Sequence, residues 1–310
     1  MLNWFYMNNY EIHAAPLQGI TQYAWRNAHH AIFGGIDFYH VPFMRIEHGE
    51  IRNRDLTDLA PENNTAPIIP QIIACEPTEA SLMVNKLKSM GYNHIELNLG
   101  CPHVPLAKKH KGSGMLAYPD EIEKMSRYLA TETTADYSVK MRLGWDDPNQ
   151  WKDAINALAP LSPHCITIHP RIGIQQYKGE LFIDQFESLL STCHYPIIYN
   201  GEVKSFQDIE QIINKYPDIR GIMIGRGLVA DPAMLASELA TADNYRQFHD
   251  ELFRNTSERL SGGEHQVLSH MKVFWEMFLP NINKKLHKQI LKAHSISQYS
   301  IACNELFSTL

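Results

Sequence analysis

Apolar and β-branched residues gather in eight short runs: 12–19, 37–47, 66–74, 94–101, 137–144, 165–171, 195–202 and 221–227. Each run ends in a polar or glycine-bearing turn. Between the runs the spacing becomes helical. Leu82, Met83 and Leu87 mark one helix over 79–90, and Ile122, Met125 and Leu129 mark another over 120–130; 151–161 and 205–216 repeat the pattern. Strand and helix alternating eight times predict an α/β protein, a (β/α)8 TIM barrel, with a doubly wound open sheet as the structural rival.

The texture changes past Ala240. Strand signals stop and amphipathic helices take over. Phe248, Leu252, Thr256 and Leu260 share one face; Gly262-Gly263 breaks that helix; Val267, Leu268, Met271, Phe274, Trp275 and Phe278 form a second stripe ended by Pro280. Residues 282–292 form a third segment carrying Lys284, Lys285, Lys288 and Lys292, which reads either as a solvated face or as a phosphate-binding one. The expected division is a barrel over 1–240 and a helical bundle domain over 241–310. The barrel should end near Asp231-Pro232, where Asp can cap a helix and Pro suits its first position.

The chain has 310 residues, 44% hydrophobic and 20% charged, which suits one large domain and a small appendage. A net charge of −6 gives no global attraction to nucleic acid, so any such contact must come from a local basic patch. The five cysteines (Cys75, Cys101, Cys165, Cys193, Cys303) are odd in number and without paired spacing. That argues against a disulfide framework or a metal site and for a reducing, cytoplasmic setting. Residues 1–10 lack a basic segment leading an apolar core, so no secretion signal is expected, and no run approaches membrane-spanning length.

Candidate chemistry sits at the strand ends. Run 94–101 closes in Asn98-Leu99-Gly100-Cys101-Pro102, then a basic stretch (Lys108, Lys109, His110, Lys111) and Gly112-Ser113-Gly114. A cysteine at the C-terminal end of a barrel strand is placed where such folds put their chemistry. It reads as a reactive-site thiol on a hinged loop facing a polyanionic substrate, or as a small buried residue capping a strand. The first run ends in Ala15-Pro16-Leu17-Gln18-Gly19, whose backbone could edge a planar ligand, and the third carries Gln71. Alternation puts Lys140 with Arg142 on one face, and His169 with Arg171. Asn200-Gly201-Glu202 and Gly225-Arg226-Gly227 end the last two runs, as a barrel phosphate site requires. A cation, an imidazole and an amide beside a phosphate cradle fit FMN, with Lys140 at the edge where the reduced flavin carries negative charge.

These residues, from Ala15-Pro16 to the C-terminal helices, resemble the tRNA-dihydrouridine synthase family. The specific element is Asn98-Leu99-Gly100-Cys101-Pro102. The remainder are Gln71, Lys140-Met141-Arg142, His169-Pro170-Arg171 with Gln176-Tyr177-Lys178-Gly179, Asn200-Gly201-Glu202 and Gly225-Arg226-Gly227. The resemblance implies an FMN barrel with a helical tRNA-binding domain that reduces a D-loop uridine to 5,6-dihydrouridine with NADPH. Hydride would pass from FMN N5 to C6, and a proton from Cys101 to C5. It further implies that Pro16, Leu17, Gln18, Gln71, Lys140, His169, Asn200, Gly201, Glu202, Gly225 and Arg226 contact FMN, and that Asn98 and Arg171 contact the uracil. Further tRNA contacts are expected from loop 108–111, the polar segment 52–64 and the C-terminal helices, in a chain that works as a monomer.

Three positions depart from the family pattern: Val104 where a lysine is usual, Ala74 and Pro170 where a glycine is usual. The rival function is a small-molecule FMN ene-type oxidoreductase resembling dihydroorotate dehydrogenase, which would not require the helices after Ala240. A second is a catalytically silent tRNA-binding barrel.

Overall fold

The computed structural model describes residues 10–310. The expectation of no secretion signal at the N-terminus falls mainly outside that range. Parallel strands β1 (Glu11–Ala14) and β2 (Phe38–His40) flank helix α1 (Tyr23–Ile32). A small antiparallel hairpin, β3 (Ile46–Glu47) and β4 (Glu50–Ile51), and helix α2 (Asn53–Leu59) then lead to β5 (Ile68–Ile69) and β6 (Gln71–Ile72).

Strand and helix then alternate through α3 (Pro77–Ser89), β7 (His94–Leu99), α4 (Val104–Ala107), α5 (Pro119–Glu132), β8 (Asp136–Gly144), α6 (Trp151–Ala157), β9 (Ile166–Ile172), α7 (Ile183–Thr192), β10 (Ile197–Tyr199), α8 (Phe206–Lys215), β11 (Gly221–Ile224) and α9 (Arg226–Ala230). The strand order β5-β2-β1-β11-β10-β9-β8-β7-β6 is that of a barrel. β5 and β6 are two halves of one strand parted at Pro70, which has no N–H to give the ladder. Ile69 accepts from Val41 N on one side and Pro70 from Glu96 N on the other, so this strand closes the ring. All eight expected strand runs are present.

The strands are shorter than the apolar runs. The first run, 12–19, leaves the ladder after Ala14, and its remainder forms a turn held by Thr21, whose hydroxyl accepts from Leu17 N at 2.8 Å. The second, 37–47, breaks after His40 because Pro42 cannot continue the pairing. Helix 151–161 stops at Ala157, ahead of Pro160. No helix starts at Asp231-Pro232: residues 232–235 form turns, and Asp231 instead accepts from Ala233 N and the Tyr245 hydroxyl.

Four helices follow the barrel: α10 (Ala242–Arg259), α11 (Gly263–Trp275), α12 (Lys284–Lys292) and α13 (Ile296–Phe307). The sequence pattern resolves the first three; α13 was visible only as part of the bundle. α10 lies on α1, with the Trp25 and Phe248 rings edge to face at 6.0 Å. One apolar core runs from the outer face of the barrel strands into these helices. Among the described residues no helix is long and apolar enough to cross a membrane, no group of three His, Cys, Asp or Glu side chains could hold a metal ion, and all five cysteines are free.

Candidate active site

A cavity of about 1210 Å³ opens at the C-terminal ends of the strands. Its wall includes Pro16, Leu17, Gln18, Asn98, Cys101, Lys140, His169, Arg171, Asn200, Gly201, Glu202, Gly225 and Arg226. Every expected site residue except Gln71 therefore meets at one place. Gln71 is wholly buried behind the wall, its amide engaged by Glu96 and Asn98. Residues 277–282, between α11 and α12, complete one side of the cavity, so the helical appendage shapes the mouth itself.

The Cys101 turn is tied by three residues. Asn98 Oδ1 accepts from the N–H groups of Gly100 (2.9 Å) and Cys101 (2.8 Å). Arg142 Nε donates to Gly100 O at 3.0 Å, and its Nη1 to Ile172 O at 2.9 Å. Ser113 gives both its N–H (3.0 Å) and its hydroxyl (2.9 Å) to the Cys101 carbonyl. The Gly112-Ser113-Gly114 stretch can fold this close because it has no side chains at its outer positions. A Cβ on Gly112, at φ +61°, would fall 2.7 Å from Cys101 O, and one on Gly114 would fall 2.3 Å from Ala107 O. Cys101 is half-buried on the cavity wall. Burial pushes its thiol pKa up, and only partly do the His103 N–H, Arg142, Arg45 and Lys140 oppose this. The thiol is protonated at neutral pH, as a proton donor must be.

The basic stretch after the cysteine divides into buried and exposed members. Lys111 is buried against Glu79 at 2.6 Å, and His110 stacks on Tyr118 and faces Glu121. Lys108 and Lys109 remain exposed, and Val104 opens α4 with its side chain outward. In segment 52–64 the polar groups also turn inward. Arg52 forms two bonds to Asp55, while Arg26 gathers Asp58 and Asn64. These side chains hold the fold, and Arg54 is the arginine of the segment that remains exposed.

The other wall of the cavity is cationic. Lys140 Nζ donates to Asn200 Oδ1, and burial lowers its pKa to about 8. His169 is held neutral by burial and by the surrounding Arg142, Lys140, Arg171 and Arg226; its Nε2 faces Arg171 Nη1 at 3.3 Å. Glu202, a non-glycine residue at φ +46°, turns one carboxylate oxygen to both Arg171 and Arg226 at 2.8 Å, with Lys204 on the other oxygen at 3.2 Å. Lys140, Arg142, Arg171, Lys204 and Arg226 outnumber the two carboxylates on the wall, Glu202 and Asp231, so the mouth favours an anion. Arg171 Nε is buried without a partner.

Two residues gain a role that the sequence only hinted at. Arg142 was grouped with Lys140 by alternation, and it proves to be the brace of the cysteine turn. Tyr177 lies in the cavity wall half-exposed, with the Arg142 and Arg226 guanidinium carbons 5.4 and 5.3 Å from its ring centre. Only the residue string around Tyr177, not any periodicity, marked it.

A family profile described as "Dihydrouridine synthase (Dus)" matches residues 13–304. Among relatives, "tRNA-dihydrouridine synthase B" of Pasteurella multocida is 28% identical over 227 residues, covering 71% of this chain and 66% of that protein, just under two thirds of its length. "tRNA-dihydrouridine(16) synthase" of Pseudomonas putida is 25% identical, covering 86% of this chain and 80% of that one. A "Probable tRNA-dihydrouridine synthase" of Staphylococcus epidermidis is 24% identical over 92% and 90% of the two chains. Among solved structures, the old yellow enzyme from Trypanosoma cruzi shares the fold at a TM-score of 0.50 with 10% identity, covering 77% of this chain and 88% of that one. The chain belongs to the dihydrouridine synthase (Dus) family.

Proposed function

We propose that this chain reduces a uridine of tRNA to 5,6-dihydrouridine, with Cys101 as proton donor, a bound FMN as the hydride source and NADPH as the reductant that recharges it. The observation that carries the reading is a protonated thiol, fixed by Asn98, Arg142 and Ser113, in the same cavity as a cationic cluster.

The residues present fit a phosphate-bearing flavin. The cavity is larger than one drug-sized ligand needs, its mouth has an excess of positive charge, and Arg171 Nε has no protein partner. At Gly225, in the cavity wall, a Cβ would meet only the Ala15 Cβ, at 3.5 Å, so the space beside this backbone is open. Asn200, Gly201, Glu202, Gly225 and Arg226 would hold the phosphate end, and Pro16, Leu17, Gln18, Lys140 and His169 the ring system. Gln71 would act behind them through Asn98. When bound, the flavin supplies the two electrons that uracil reduction needs, as a hydride to C6.

The chain supplies the rest. Lys140 keeps a positive charge at the floor of the site below pH 8, which favours negative charge developing beside it. Cys101 holds a proton on Sγ and gives it to C5, completing addition of hydride and proton across the double bond. Asn98 retains one amide hydrogen beyond its bond to Gln71, and Arg171 its free Nε; these are the donors left for the carbonyl edge of a uracil. The Tyr177 face offers a surface on which a base can stack. A base must leave the tRNA stack to enter, at a cost of a few kcal/mol. The helical domain 241–310 would offset that cost through the exposed Lys284, Lys285, Lys288 and Lys292 of α12, opposite its buried Leu286 and Ile290. We place the reaction in the cytoplasm, by a monomer.

The small-molecule alternative shares the fold but gives no reason for residues 277–282, next to the lysine-bearing α12, to complete the mouth. Nucleoside analysis of bulk tRNA from a deletion strain tests the proposal: dihydrouridine should be lost at one site and restored by the intact gene. Unchanged dihydrouridine would reject it.

A further inference from the structure

Alternation along the strands places a second set of polar side chains inside the barrel, behind the cavity wall. They form one continuous string. Glu11, bound by Arg220, meets His13 Nε2 at 3.1 Å; His13 Nδ1 meets His40 Nε2 at 2.9 Å; His40 Nδ1 lies 3.0 Å from Glu96 Oε2. Gln71 Nε2 donates to Glu96 at 2.5 Å, Asn98 Nδ2 donates to Gln71 Oε1 at 2.7 Å, and Asn98 Oδ1 accepts from Gly100 N and Cys101 N. Glu96, Gln71, His13 and His40 are all buried.

The charge on Glu96 fixes the direction of this string. One of its oxygens lies 3.0 Å from His40 Nδ1 and also accepts from Gln71 Nε2. Lys140 adds positive potential, and the pKa of Glu96 is lowered despite full burial. An ionised carboxylate can only accept. Gln71 must then turn its NH2 to Glu96 and its oxygen to Asn98. Asn98 must in turn spend its NH2 on Gln71 and aim its oxygen at the two N–H groups of the cysteine turn.

We propose that Glu96 is a positioning residue for Cys101: acting through Gln71 and then Asn98, its acceptor-only carboxylate dictates that an amide oxygen, not an amide NH2, meets the backbone N–H groups of Gly100 and Cys101. Reversing both amides would set the Asn98 NH2 against two N–H groups, losing two hydrogen bonds and releasing the turn. The positioning of the turn depends on geometry alone; its effect on catalysis rests on the reading of Cys101 as proton donor.

Glu96→Gln tests it. The replacement keeps the volume but offers NH2 as readily as oxygen to Gln71, so both directions of the string become accessible. The primary readout is the rate of Cys101 alkylation by iodoacetamide in the full chain, with and without flavin, resolved by peptide mass spectrometry; the other four cysteines are internal controls. Loss of the two turn hydrogen bonds should alter the Cys101 rate by about threefold or more and lower kcat about tenfold, with KM for tRNA little changed. The double variant Gln71→Glu/Glu96→Gln exchanges the two groups. A carboxylate at 71 accepts from Asn98 directly, the string again runs towards Cys101, and both readouts should return to within about twofold of the parent. A purely packing role would not predict that rescue.

Parental Cys101 reactivity in Glu96→Gln, or a double variant no better than the single one, overturns the proposal. Should Glu96→Gln not fold, Gln71→Met severs the string while sparing the Glu96–His40 pair, and parental Cys101 reactivity there overturns it equally. Full turnover by Cys101→Ala would reject the proton-donor reading alone, leaving the alkylation result to decide Glu96.

Discussion

Lys140 Nζ donates to Asn200 Oδ1 across 2.6 Å, and Asn200 Nδ2 donates to Met223 O at 2.7 Å, so the ammonium borne midway along β8 is locked by the turn after β10 and the strand beyond it. Burial lowers the lysine pKa from 10.5 to about 8. Its charge is present below that pH and is lost above it. Turnover should therefore decline as pH rises through about 8. The Cys101 thiol, whose pKa is raised, keeps its proton over that range, so the decline belongs to the lysine. Lys140→Arg keeps a cation and should move this limb upward in a kcat–pH profile, whereas Lys140→Gln should remove it along with roughly a hundredfold of rate.

Cys101→Ala should retain flavin, read as bound absorbance, and tRNA affinity, read by filter binding. Turnover should drop by about 10²–10⁴-fold, the range for removing a general acid. Cys101→Ser keeps the size but donates from a far weaker acid, and should recover little.

Gly114→Ala would bring a methyl group within 2.3 Å of Ala107 O and 2.6 Å of its Cα, backbone atoms that cannot swing away. Unfolding in urea should show a loss of about 1–3 kcal/mol, the usual cost of overpacking. Cys101 alkylation should rise in the same variant, because the stretch that carries Ser113 can no longer close on the cysteine carbonyl.

Lys284, Lys288 and Lys292 recur every four residues along the exposed face of α12. If they meet phosphates, tRNA affinity should fall steeply with salt. Replacing all three with Gln should then reduce the slope of log K against log salt by roughly 2–3, with kcat at saturating tRNA unchanged. An unaltered slope would assign these lysines to solvation alone.

The first and last barrel strands are clasped by Arg220, which donates to Glu11 at 2.9 and 2.7 Å. Burial works against the Glu11 carboxylate, but His13 and Arg220 hold its pKa at about 2, below its ordinary 4.5. The stabilisation is complete above pH 4.5 and disappears as pH falls towards 2. It amounts to on the order of 3 kcal/mol. Arg220→Leu should forfeit part of this at pH 7, and denaturant titrations at pH 7 and pH 3 should differ less in the variant than in the parent.

Periodicity alone determined the barrel, the switch to helices after Ala240 and the strands and following turns in which Cys101, Lys140, His169 and Arg226 stand, because a period of two and a period of 3.6 are local properties of a chain. Tertiary structure decided the partners. His13, His40 and Glu96 lie on separate strands, and only barrel closure joins them to Gln71 and Asn98. Likewise, nothing local tells that Lys111 will bury itself on Glu79, or that residues 277–282 will reach back to the mouth of the cavity. Those outcomes depend on which surfaces meet once the ring has closed, and a contact between residues far apart in sequence leaves no mark on the spacing around either one.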